Sequence, residues 1–179
     1  MYPISRAAAH FAVLLFTSIL LSACSGGQGD GDLAVAKMSK SQMQATNFLP
    51  LNADKPGTAV DVLRYLVPGK YTIVAYLSPY DASCLSFEPQ LVQLSQARTD
   101  IAVRTVNINR PGVQGVDWQS PIVQEMQIQK LPFFLVFDPA QSVRAKGRPA
   151  YEGVVQWLRD MSANSHESDQ SSEAPALPN

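Results

Sequence analysis

Tyr76-Leu-Ser-Pro-Tyr-Asp-Ala-Ser-Cys84 reads as the end of a strand, a polar elbow and the start of a helix. Just upstream, Tyr71-Thr-Ile-Val-Ala-Tyr-Leu77 is β-rich and nearly all apolar, the pattern of a strand buried on both faces. Downstream, Cys84, Phe87, Leu91 and Leu94 recur at helical spacing, which predicts a helix starting at Asp81. A carboxylate at that start can accept from the unpaired N–H groups of the first turn, so Asp81 reads as an N-cap, with a catalytic acid as the other reading. Pro89 falls inside the predicted helix, where it removes one backbone donor and should kink the axis.

Further along the chain the elements alternate. Ile101 to Ile108 alternates as a strand. Asn109 to Gln119 is a loop with Pro111, Gly112 and Gly115, and Ser120-Pro121 opens a helix to Ile128. Phe133-Phe-Leu-Val-Phe137 is a second buried strand. Asp138-Pro139-Ala-Gln141 is a turn into a short strand near Ser142 to Ala145. Pro149 opens a last helix whose face is Tyr151, Val154, Val155, Leu158 and Met161. Upstream of the elbow, Thr58-Ala-Val-Asp61 predicts a capped helix with the face Val62, Leu63, Leu66 and Val67, stopped at Pro68-Gly69. The alternation predicts an α/β fold with a central mixed β-sheet and helices on both faces.

The chain has 179 residues and a formal net charge of -1, so nothing in its charge points to nucleic acid. Arg6 is the only charged residue before Asp30, and it precedes an apolar run from Ala7 to Leu21. A short apolar core ending in small residues predicts a secretion signal over 1–23. Residues 24–45, beginning Cys24-Ser-Gly-Gly-Gln-Gly-Asp-Gly-Asp32, read as a flexible tether, with a weak helix from Lys37 to Gln44. Residues 46–161 form the predicted core. Residues 162–179 are rich in Ser, Glu, Asp and Pro and are expected to be disordered.

Two resemblances sharpen this reading. Leu21-Ser-Ala-Cys24 resembles the bacterial lipoprotein signal, which implies cleavage before Cys24 and a lipid on its sulfur. An ordinary signal peptide that happens to contain a cysteine is the other reading. In that lipoprotein family Ser25 implies an outer-membrane location facing the periplasm, given a Gram-negative host. The core from Asp61 to Leu158 resembles the thioredoxin superfamily. The resemblance is carried by the strand Tyr71–Leu77, the elbow Tyr80-Asp-Ala-Ser-Cys84, Pro89 in the helix, and Leu131-Pro132 before the next strand. It implies a thioredoxin-like fold, a cis bond before Pro132, and a groove in which relatives hold an extended peptide. Tyr80, Asp81, Leu131 and Pro132 would then be contact residues, with plain packing as the other reading of Tyr80 and Pro132. Trp118 is a weaker addition to the same groove.

The departures bear on the chemistry. Asp81 stands where the family carries its attacking cysteine, Ala75 where it often carries a buried acid, and Tyr80 where a tryptophan is usual. An aspartate cannot attack a disulfide. Cys84 matches the family's second cysteine. It reads either as a buried small residue or as a functional thiol that forms mixed disulfides or takes a reversible cap. The expected function is therefore binding or scaffolding of an envelope protein or peptide, with membrane attachment through Cys24. The alternative is a monothiol oxidoreductase acting through Cys84. No cofactor is expected. The two histidines, His10 and His166, fall in the leader and the tail, which leaves a metal site or a Cys–His pair without support. Asp117 and Glu125 read as solvated surface charges.

Overall fold

The computed structural model describes residues 38–170, with side chains through 163. The expected leader (1–23), the expected lipidation site Cys24 and most of the expected tether lie outside the described residues.

The elements are helix α1 (Lys40–Ala45), strand β1 (Phe48–Pro50), a 3-10 turn (Val62–Tyr65), β2 (Tyr71–Leu77), α2 (Ala82–Ala97), β3 (Ile101–Asn107), α3 (Pro121–Met126), β4 (Phe133–Phe137), β5 (Val143–Lys146) and α4 (Arg148–Gln170). The strands form one sheet in the order β1-β3-β2-β4-β5. β1 and β2 run parallel to β3, β4 runs antiparallel to β2, and β5 antiparallel to β4. The sheet is mixed and helices flank it, as expected.

Register decides which side chains face which layer. Ala75 lies opposite Phe134 across β2 and β4, and Phe134 meets Phe87 of α2 and Tyr151 of α4. This face, with Ile73, Val103 and Val136, packs on Leu91, Leu94, Val154 and Leu158 of the two long helices. Tyr76 lies opposite Phe133 on the other face, and Val74 opposite Arg104. That face is covered by α1, the 3-10 turn and α3, whose Ile122 and Val123 are buried. Side-chain alternation of period two sends neighbouring residues of β2 into the two layers, so the strand carries an almost unbroken apolar run.

Arg104 sits in the middle of β3 with no exposed surface. Its guanidinium donates to the carbonyls of Met43, Thr46, Tyr65 and Val103 at 2.9–3.0 Å. Met43 lies in the last turn of α1, Thr46 is its C-cap and Tyr65 ends the 3-10 turn. One buried cation thus closes the carbonyl ends of two short helices, where the backbone dipoles favour positive charge. Burial pushes its pKa down to about 10, which leaves it charged at neutral pH.

Several boundaries differ from expectation. The folded part begins before residue 46: α1 carries a Ser39–Gln42 capping box, and Met38 and Met43 pack on the core. The reason is Arg104, which needs these carbonyls. The expected helix after Thr58 is a single turn. The Thr58 hydroxyl donates back to the Lys55 carbonyl at 2.7 Å rather than capping, and Leu63 is exposed. α4 runs to Gln170 instead of ending at Met161, so the expected disordered tail is helical in its first part. A helix already nucleated on the sheet gains one hydrogen bond per added residue and needs no apolar face to continue. Asp117 is buried rather than solvated, and accepts from Arg110 Nε at 2.7 Å and Nη2 at 2.9 Å. Glu125 is exposed, as expected.

Candidate functional site: the elbow and the Leu131-Pro132 cleft

The elbow is held by short polar contacts. The Ser78 hydroxyl donates to Asn109 Oδ1 at 2.6 Å and accepts from the Tyr80 N–H at 3.1 Å. Asn109 Nδ2 in turn donates to the Gly115 carbonyl at 2.6 Å, which ties the loop after β3 to the elbow. Asp81 is the N-cap of α2: its carboxylate accepts from the Cys84 N–H at 2.8 Å. The N-cap reading of Asp81 thus holds, and Pro89 lies within the helix.

Cys84 points into the core and is 2% exposed. Burial pushes its thiol up to about 12, and the Asp81 and Glu88 carboxylates push in the same direction against a hydrogen bond from the Ser78 backbone. A helix N-terminus ordinarily lowers a thiol pKa. Here the cap is already filled by a carboxylate, so that effect is offset. Ala75 is buried without any exposed surface and supplies no proton-transfer group. Among the described residues Cys84 is the only free cysteine, and its partner position holds an acid. It lines a smaller cleft of about 310 Å³, which Glu88 also borders.

The larger cleft, about 610 Å³, opens beside the elbow. Its walls include Ser83 from the first turn of α2, Leu131, Pro132 and Phe133 at the entrance to β4, and Arg148 and Tyr151 from the first turn of α4. The Leu131–Pro132 bond is cis, as the resemblance implied. Leu131 and Pro132 are largely buried, so they form the floor. No backbone–backbone hydrogen bond within the described residues engages Lys130 or Leu131, which leaves two consecutive residues of unpaired polar backbone at the cleft. α3 delivers the chain to this stretch through Gln127, held in the left-handed region at φ 55°. That conformation costs a non-glycine residue about 1 kcal/mol.

Of the four expected contact residues, Leu131 and Pro132 border this cleft. Tyr80 and Asp81 do not: Tyr80 is 48% exposed on the outer surface of the elbow, and the Asp81 carboxylate is turned to its own helix. Trp118 is exposed in the loop after β3 and is also absent from the cleft. Sequence reading missed Ser83, Phe133, Arg148 and Tyr151. Only Pro149, which marks where the last helix starts, gave a signal for the last two. It also missed two buried polar atoms without hydrogen-bond partners, Tyr76 Oη and Ser120 Oγ.

The strand order, the elbow leading into a Pro-containing helix and the cis bond at Pro132 together decide the architecture. The fold is thioredoxin-like. No family model and no curated protein matches the chain. Among solved structures it is similar to the long form of thioredoxin f from spinach chloroplast, at 14% identity over 68% of this chain and 93% of that one, TM-score 0.47. It is also similar to Chlamydomonas reinhardtii thioredoxin f2, at 23% identity over 44% of this chain and 66% of that one, TM-score 0.35. The thioredoxin domain of a Bacteroides vulgatus thiol-disulfide oxidoreductase matches at 18% identity over 50% of this chain and 80% of that one, TM-score 0.37. These likenesses concern the fold, and no activity passes from them to this chain.

Proposed function

We propose that the chain is a lipid-anchored envelope lipoprotein whose thioredoxin-like domain binds a periplasmic protein or peptide and performs no dithiol exchange. The observation that carries the reading is the state of Cys84: 2% exposed, its thiol pushed up to about 12, with a carboxylate at the position of the missing cysteine. At neutral pH such a thiol is protonated, and the thiolate is the nucleophile. The preserved feature is the cleft at Leu131-Pro132, with its polar backbone and aromatic wall. Attachment through Cys24 and an outer-membrane location facing the periplasm follow from the leader and Ser25 alone.

A photo-crosslinking amino acid placed at Ser83 or at Tyr151 in the full chain, expressed in cells, tests the reading. It should yield a discrete adduct that the same group at Leu63, exposed elsewhere, does not. Cys84→Ser should leave the adduct intact, and Cys24→Ser should release the protein from the membrane fraction. Loss of the adduct in Cys84→Ser, or equal labelling from Leu63, would overturn the binding role.

The second reading is a monothiol redox protein acting through Cys84. One observation favours it: Cys84 borders the smaller cleft, which gives small reagents a direction of approach. Blocked alkylation of Cys84 in the native chain removes that reading.

A further inference from the structure

The charges around the larger cleft are unevenly distributed. Its lining residues include two cations, Lys130 and Arg148, and one carboxylate, Glu152. Glu152 is itself held by Arg148 Nε at 2.8 Å. A third cation, Lys146, stands 6.0 Å over the ring of Phe133, the aromatic wall of the same cleft. Helix α4 begins at its rim, at Arg148, with no acidic residue in its first turn, whereas the N-terminus of α2 is already met by the Asp81 carboxylate. The positive end of the α4 dipole adds to the same sign of potential. The chain as a whole carries a net charge of -1, so this cationic rim is a local departure and not the general character of the surface. The smaller cleft makes the contrast: its only charged lining residue is Glu88.

Resting on the binding role proposed above, we infer that the larger cleft takes an acidic, extended peptide segment of a partner protein. A carboxylate of the segment meets Lys130 and Arg148, and a neighbouring apolar side chain lies against Phe133 and Tyr151. Its backbone runs along the unpaired backbone of Lys130 and Leu131. Arg148 is the stronger selector, because its planar fork matches a carboxylate bidentately and its bond to Glu152 is solvent-exposed and readily exchanged. A basic segment would face two or three like charges, which gives discrimination as well as attraction.

The probes are three fluorescein-labelled heptapeptides without cysteine, in which Val alternates with Glu, Gln or Lys. Each is titrated into the full chain and read by fluorescence polarisation. The Glu peptide should bind tighter than the Gln peptide by about fivefold, the scale of one exposed ion pair, with the Lys peptide weakest. The gap should narrow as salt rises from about 0.05 to 0.5 M, where the Debye length shortens to a few ångströms. The double reversal Lys130→Glu with Arg148→Glu should invert the ranking of the Glu and Lys peptides. Both sites are exposed, so circular dichroism should stay unchanged. Equal binding of the Glu and Gln peptides, abolished by Ser83→Trp at the exposed wall of the cleft, overturns the acidic preference and leaves the binding role standing. A ranking that the double reversal does not move also overturns it, because selection then lies elsewhere. Binding of none of the three peptides overturns both.

Discussion

At the residue scale, Cys84 decides what the elbow can do. Its burial and its two carboxylate neighbours all favour the thiol over the thiolate. Iodoacetamide at pH 8 should therefore leave Cys84 unlabelled in the native chain and label it fully in urea, read by mass spectrometry of its peptide. Rapid native labelling would show that the thiol is open and would revive the redox reading. The sequence revealed the identity of the residue and its place on the helix, but not its exposure. Free cysteine is often buried, and helical periodicity alone cannot tell a core position from one at the lip of a pocket. Asp81 was more legible, because a short acidic side chain before an apolar helix has one dominant local use. Asp117 was misread for a related reason. Its partner Arg110 is only seven positions away, but the loop between them has no periodicity that would bring them together.

At the scale of elements, Arg104 governs how the N-terminal end of the domain is attached to the sheet. Arg104→Ala should cost at least about 3 kcal/mol in urea unfolding, because four carbonyls, one buried and three partly buried, lose their donor together. Hydrogen exchange should rise first in Lys40–Ala45. Arg104→Lys should not restore protection, since one ammonium cannot reach acceptors arranged for a planar fork. Full protection in the lysine variant would show that charge alone closes the helix ends. This device was hidden in the sequence. The arginine inside Ile101-Ala-Val-Arg-Thr-Val-Asn-Ile108 shares its period-two face with Ala102, Val106 and Ile108, but no spacing in the sequence points to the distant carbonyls it meets, and the short strand β1 has no alternation to read. The long elements were legible because β2 and β4 are nearly continuous apolar runs, while α2 and α4 carry several apolar residues at helical spacing.

At the scale of the whole molecule, two of the shifted groups, Asp117 and Cys84, mark the acid and alkaline limbs of the pH profile. Asp117 is held down to about 2 by the Arg110 guanidinium and by N–H donors from Arg110 and Gln119. A carboxylate with a depressed folded pKa stabilises above its unfolded pKa, near 3.8, and loses that contribution as pH falls toward 2. Because Arg110 is 45% exposed, screening reduces this contribution to about 1–2 kcal/mol. Cys84 acts at the other limit. Its raised folded pKa contributes below about 9 and is lost as pH rises toward 12. Urea midpoints should be flat from pH 5 to 8, fall below 4 and fall again above 9. Asp117→Asn should lower the plateau and flatten the acid limb. An unchanged acid limb would place that loss on other carboxylates.

The order of the strands also has a consequence for how the domain is displayed. The chain enters through α1 and β1 at one margin of the sheet, and the larger cleft lies by β4 and the β5–α4 junction at the other. Three strand spacings separate β1 from β4, about 14 Å. Arg104 pins α1 to that margin, so the described chain enters the sheet on the side away from the cleft, and a pull on the N-terminal segment loads β1 and β3 before it reaches the cleft-bearing strand β4.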